Sequence, residues 1–144
     1  MVALVLSVAC AFTLGACQNT VNGSALKVGD CFNKTNTTDA EGNAVDSDAI
    51  VDCAKSHTYE DFSDFVYPNA SGFPGYEQIG SLEQTRCEQD FQTYVGVSWE
   101  QSTLVISYDS PDEQSWAGGD QTIHCLLADG SGGQLTGSAQ GTKK

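Results

Sequence analysis

Four cysteines do most to limit what this chain can fold into. Cys31, Cys53, Cys87 and Cys125 are spread through the polar part of a 144-residue sequence, while Cys10 and Cys17 lie in or directly after an uncharged apolar run that starts at Met1. Val2 to Ala16 has about the length of a signal h-region and falls short of the roughly 20 apolar residues that a spanning helix needs. A buried N-terminal helix or a plain anchor is the alternative reading of the same run. A chain exported through such a segment enters an oxidising space, where an even number of cysteines reads as a disulfide framework. Cys10 leaves with the signal, and the four cysteines beyond Cys17 make two disulfides, with three pairings to choose from. In the loop-entropy picture each bond stabilises the fold by roughly 3–4 kcal/mol.

The run closes on Leu14-Gly15-Ala16-Cys17. Small residues before a cysteine at the end of a short apolar segment resemble the lipobox of bacterial lipoprotein signals. The resemblance implies cleavage before Cys17 and a diacylglyceryl group on its sulfur, with palmitate-type chains anchoring the protein. Two or three acyl chains hold firmly, because each buried CH₂ contributes about 0.8 kcal/mol. Signals of this kind open with Lys or Arg, and here the first cation is Lys27. Translation is therefore expected to start upstream of Met1. The chain divides into a signal over residues 1–16, a lipidated cysteine and flexible tether over 17–25, a domain over 26–138 and a disordered tail over 139–144.

Charge narrows the partners. Six basic residues stand against 19 acidic ones, a net charge of −13, and none of these charges lies in the signal. Such a surface repels nucleic acid, whose binding needs Lys and Arg to displace counterions. It also repels anionic headgroups, so the globule stands off the bilayer, and charged partners should be cationic. The plainer reading is that the acidity keeps an exported protein soluble.

Val28-Gly29-Asp30-Cys31-Phe32 reads as a turn entering a short strand. Asn33 to Asp48 is rich in Asn, Thr, Asp and Gly, with a hairpin turn at Glu41-Gly42-Asn43. Ala49 to Cys53 is the next strand and carries Cys53 back toward Cys31, which favours pairing those two. Tyr59 to Tyr67 reads as a strand. Ser81-Leu82-Glu83-Gln84 fits a capping box with Ser81 at the N-cap. Cys87, Phe91 and Tyr94 then share a helix face, and Gly96 ends the helix. Thr103 to Tyr108 is a β-branched strand, and Pro111 to Gly119 a connection with a helical turn at Trp116. In the strand Gln121 to Leu127, Ile123, Cys125 and Leu127 face one side and His124 the other. Cys125 facing inward favours its bond to Cys87. From Asp129 the chain is Gly- and Ser-rich and reads as mobile. These elements give an α+β fold: a small antiparallel sheet with one main helix packed on it, stapled by two disulfides.

Gly29-Asp30-Cys31-Phe32, Val51-x-Cys53-x3-His57-x2-Glu60, Cys87-x3-Phe91-x2-Tyr94-x-Gly96 and Pro111-x4-Trp116-x2-Gly119-Asp120, followed by Cys125 and Gly137-Ser138, occur here in order. Their spacing resembles the actinobacterial septum-formation domain family. The resemblance implies an extracytoplasmic domain stapled by Cys31, Cys53, Cys87 and Cys125, tethered to the membrane and linked to cell division. It implies no reaction.

His57, Glu60, Trp116 and Asp120 form the candidate functional surface. His57 and Glu60 have the spacing of a ligand or acid–base pair. The favoured reading is a histidine that hydrogen-bonds a nearby carboxylate and fixes the turn. Cys53-x3-His57 with His124-Cys125 could supply a zinc ligand set, but exported cysteines oxidise and no C-x2-C knuckle is present. No metal or cofactor is expected. Asp39, Glu41, Asp46 and Asp48 have the wrong register for a calcium loop. No G-x-S-x-G, H-E-x-x-H or phosphate loop occurs. The expectation is a non-enzymatic, lipid-anchored module on the extracytoplasmic face of the cell membrane that binds or scaffolds envelope or division proteins. Trp99, Trp116, Tyr59, Tyr76 and Tyr108 supply aromatic surface for this. The alternative is an envelope hydrolase acting on glycan or peptide through Glu60 and Asp120, which requires two carboxylates about 5–9.5 Å apart. A spacer without a ligand stays open as a third reading.

Overall fold

The computed structural model describes residues 19–21, 25–38, 40–42, 44–68 and 71–144; the signal run and Cys17 lie outside them. In chain order the elements are β1 (Asn19–Val21), β2 (Cys31–Thr38), β3 (Ala44–Val51), β4 (Tyr59–Val66), α1 (Tyr76–Val95), β5 (Leu104–Asp109), α2 (Glu113–Ala117) and β6 (Thr122–Asp129), with a 3-10 turn at Trp99–Gln101. The strands form one antiparallel sheet in the order β1-β3-β2-β4-β6-β5. The α+β fold is as expected, and so are both disulfides, Cys31–Cys53 and Cys87–Cys125.

The helix α1 lies on one face of β4, β6 and β5. Ile79, Glu83, Cys87, Phe91 and Val95 recur every four residues and are its buried stripe. Phe62, Leu104, Cys125 and Leu127 meet this stripe from the sheet, so the Cys87–Cys125 bond crosses the centre of the core. A register shift between Asp61 and Ser63 in β4 turns both Phe62 and Ser63 toward the helix, where the Ser63 hydroxyl donates to Asp90 at 2.6 Å.

The helix begins earlier than the capping box suggests. Gly75, at φ 93°, is the N-cap, and Ser81 falls in the second turn. Pro74-Gly75 supplies the break, and Ile79 extends the helix by packing with Trp116 and Ile123. The far end is as expected: Gly96, left-handed at φ 93°, donates its N–H to the Gln92 carbonyl.

The opposite face is covered by the sheet itself. β2 pairs with β4 only at Cys31↔Glu60 and Phe32↔Tyr59. Yet Lys34 Nζ reaches Asp109 Oδ2 on β5 at 2.9 Å. In a flat sheet β2 and β5 would stand about 14 Å apart, three strand spacings. The β2–β3 hairpin therefore curls across β4, β6 and β5, enclosing a second small core of Leu26, Phe32 and Leu126.

Three expectations are corrected. The two strands around the expected hairpin turn run longer than expected: β2 and β3 pair from Cys31↔Val51 to Thr38↔Ala44, because cross-strand pairing outweighs the Asn, Thr and Asp composition. Within the stretch expected as a tether over 17–25, Asn19–Val21 form a strand that pairs with β3 on the side away from β2 and takes part of its open ladder. The tail is ordered. Leu135 bridges His57, Ala139 is buried, and the N–H groups of Gly141 and Lys143 take the Tyr94 and Val95 carbonyls that the end of α1 leaves free.

Candidate functional site

His57 precedes β4 and is fully buried. Its Nδ1–H donates to the Lys55 carbonyl at 2.8 Å, and its backbone exchanges hydrogen bonds with Leu135. Its ring thus fixes the turn through a carbonyl rather than through the expected carboxylate. Glu60, also fully buried, accepts from Tyr94 OH at 2.7 Å, Ser138 Oγ at 2.5 Å and Ala139 N at 2.8 Å. Burial, and then this bond to Glu60, push the Tyr94 phenol well above the ordinary tyrosine range. Cys31, His57 and Glu60 offer ligand atoms within 4.8 Å of one another. The Cys31 sulfur is nevertheless bonded to Cys53, and the Glu60 oxygens are taken by three donors, so the donor set does not suit a cation.

Trp116 is buried in α2 against Tyr67 and Phe73, with ring centroids 5.5 and 5.7 Å away. Asp120 is half-buried and accepts the Thr122 N–H at 3.1 Å, starting β6. The candidate functional surface is thus corrected: His57, Glu60 and Trp116 belong to the interior. Nor do Glu60 and Asp120 meet. Glu60 pairs with Leu127 at one end of the β4–β6 ladder, whereas Asp120 precedes Thr122 at the other. Six residues of strand put them about 20 Å apart, well beyond a glycosidase pair.

Two constellations were missed in the sequence. The first lies between the curled hairpin and β4, β6 and β5. His124 Nδ1 sits 2.8 Å from Asp61 Oδ2, both buried, and Lys34 bridges Asp109 and Asp48. Burial lowers the His124 pKa, but the hydrogen bond and charge of Asp61, reinforced by Asp109 and Asp64, raise it overall. Burial raises Asp61 and Asp48 against the opposing pull of His124 and Lys34. The signal was alternation: Lys34, Asp48, Asp61 and His124 each stand two residues from an apolar or aromatic neighbour on the same face.

The second is an open groove between α1 and β5 of about 430 Å³, lined by Glu83, Glu88, Trp99, Val105, Ile106 and Tyr108 among others. A second cavity of about 430 Å³ continues it along α1, sharing Gln84, Glu88 and Trp99 and adding Glu100 and Gln92. Trp99 and Tyr108 are among the exposed large hydrophobic side chains. Burial, then the charges of Glu88 and Glu83, raise the Tyr108 phenol, which places both carboxylates within electrostatic reach of that ring. Glu83 could have been found by its place in the apolar stripe of α1.

Residues 28–144 match the family model described as Septum formation. The chain belongs to the septum-formation family. The match covers every element from β2 to the end of the ordered tail, including both disulfides and the groove. A role related to cell division follows at that coarse level. No curated protein and no solved structure matches the chain significantly. Among the described residues no helix is long and apolar enough to cross a membrane.

Proposed function

We propose that this septum-formation domain is a non-enzymatic binding module of the cell envelope, held by a lipid on Cys17 at the extracytoplasmic face of the membrane and working at the division site. The family match carries the link to division. Two disulfides in a small domain suit an oxidising compartment. His57, Glu60, Trp116 and Asp120 serve the framework, which supports binding over acid–base chemistry at those residues. The open trough along α1 is the face best suited to a partner. Because β1 starts two residues after Cys17, an anchor there would keep the β1 edge of the sheet close to the membrane. The test is cellular. The tagged chain should take up labelled palmitate, fractionate with membranes and gather at septa, and Cys17→Ala should release it. Recovery in the cytosol with reduced thiols would overturn the proposal.

A further inference from the structure

The groove between α1 and β5 has the chemistry of a receptor for a basic side chain. Glu83 is only 7% exposed and stands in the buried stripe of its helix. One of its carboxylate oxygens accepts the Ser110 hydroxyl, and among the described residues no basic side chain pairs with it. Glu88, one and a half turns on, receives the Gln84 amide at 3.2 Å and, among the described residues, pairs with no basic side chain. A carboxylate pair with no cation beside apolar walls is a ready partner for a ligand that brings one. The walls are aromatic and apolar: Trp99 is 38% and Tyr108 39% exposed, and Val105 and Ile106 line the same groove.

We infer that this trough receives an extended basic segment of a protein partner, with an arginine side chain seated between Trp99, Glu83 and Glu88. The inference rests on the reading of the domain as a binding module. Arginine fits better than lysine, because its planar guanidinium both stacks on an aromatic face and forks onto a carboxylate. Its methylene stem can lie on Val105 and Ile106. A polypeptide fits better than a free small cation, because the space continues past Trp99 into the second cavity. There Gln92 and Glu100 line the wall and can hydrogen-bond a peptide backbone. The net charge of −13 draws a basic segment in and turns away nucleic acid and anionic lipid.

The test uses the folded, oxidised chain and a blocked glycine pentapeptide carrying one central arginine. Calorimetry and tryptophan emission read the binding; Trp99 is the exposed tryptophan and Trp116 the buried one. Binding should weaken as salt rises. The lysine twin should bind at least about threefold more weakly, and the citrulline twin, which keeps the shape without the charge, should not bind. Glu88→Gln and Trp99→Leu should each weaken binding about fivefold or more, the scale of one lost charge or stacking contact. Glu83→Gln should do the same if it folds, and Glu88, which is only half-buried, keeps the test decisive if it does not. Glu77→Gln, in the first turn of α1 outside the groove, should change nothing. No binding by the wild type, equal binding of the citrulline twin, or unchanged affinity in both Glu88→Gln and Trp99→Leu would each overturn the inference. Lysine binding as tightly as arginine would overturn the assignment of arginine. Normal septal localisation with no peptide binding would sink this inference alone. Peptide binding by a protein that never reaches septa would sink the proposed function and leave the ligand class standing.

Discussion

Glu60 and Asp61 are consecutive, both fully buried, and point to opposite faces of β4. Glu60 faces α1 and meets three neutral donors: two hydroxyls and a backbone N–H. Asp61 faces the curled hairpin and meets one ionisable partner, His124, and its Oδ1 has no partner among the described residues. The same chemical group thus does two kinds of work. On the helix side it is a clamp, tying α1 through Tyr94 and the C-terminal segment through Ser138 and Ala139 to the centre of the sheet. On the hairpin side it is half of a charge pair whose value depends on protonation. Neutral donors make a carboxylate a fixed joint, whereas a histidine makes it a titratable one.

The most severe way to break this comparison is Glu60→Ala. It strands three donors, each costing about 1–3 kcal/mol when left without an acceptor in the interior. The hydroxyls can turn elsewhere but the Ala139 N–H cannot, so the expected total is about 4 kcal/mol by urea unfolding. Hydrogen exchange should accelerate at Gly141 and Lys143, whose N–H groups hold the tail to α1. A loss below about 1 kcal/mol would show that the tail docks without the clamp.

Next in size is the pair itself. Asp61→Val alone leaves His124 buried without its acceptor and should cost about 3 kcal/mol. Replacing both partners, Asp61→Val with His124→Leu, should recover at least half of that, because an apolar pair carries no desolvation cost. Additive losses would mean that the two residues act independently, and the contrast with Glu60 would fail.

A subtler measurement is stability against pH. Burial lowers the His124 pKa, but Asp61 on β4, Asp109 on β5 and Asp64 on β4 together hold it above the ordinary imidazole value of about 6.5. A group raised in the folded state stabilises fully below its unfolded pKa and loses that contribution as pH climbs through the folded one. Wild-type stability should therefore decline above about pH 6.5, and His124→Leu should flatten this part of the curve. Asp61 and Asp48, raised by burial, act with the same sign at lower pH. Glu60→Gln, weaker overall, should keep the neutral-pH slope. A slope that survived in His124→Leu would place the titration elsewhere.

The clamp and the pair were not equally legible in the sequence. Cysteine count and strand direction led to both disulfides, and the period of α1 led to Cys87 and Phe91, two of the five residues of its buried stripe. Gly96 marked the end of that helix correctly because a left-handed residue there has few substitutes. Asn33 to Asp48 misled, because its turn-like composition says nothing about a partner strand that satisfies its backbone. The Gly- and Ser-rich end misled for a related reason. Its order comes from Glu60 and from the open carbonyls at the end of α1, both remote in sequence. His57 and Glu60 drew attention as chemistry-bearing residues and proved to be framework. Glu83 entered only as part of a capping box and Glu88 not at all, because a groove exists only once β5 is laid beside the helix.

The smallest expected effect tests how the hairpin layer is held. Lys34 crosses from β2 to Asp109 at 2.9 Å, with Asp48 at 3.7 Å, and its side chain is 45% exposed. Burial lowers its pKa, while the bond and charge of Asp109 and the charge of Asp48 raise it overall. A half-exposed pair of this kind is screened by water and salt, so Lys34→Met should cost about 0.5–1 kcal/mol. Part of that should vanish in about 1 M salt, where the screening length shrinks to roughly 3 Å. If the loss instead exceeded about 2 kcal/mol, charge rather than the apolar contact of Leu26, Phe32 and Leu126 would be holding the hairpin over the sheet. The Asp61–His124 pair would then depend on Lys34 for its enclosure. Lys34→Met should in that case also move the pH at which His124 titrates, which proton NMR of the imidazole would register even where unfolding does not.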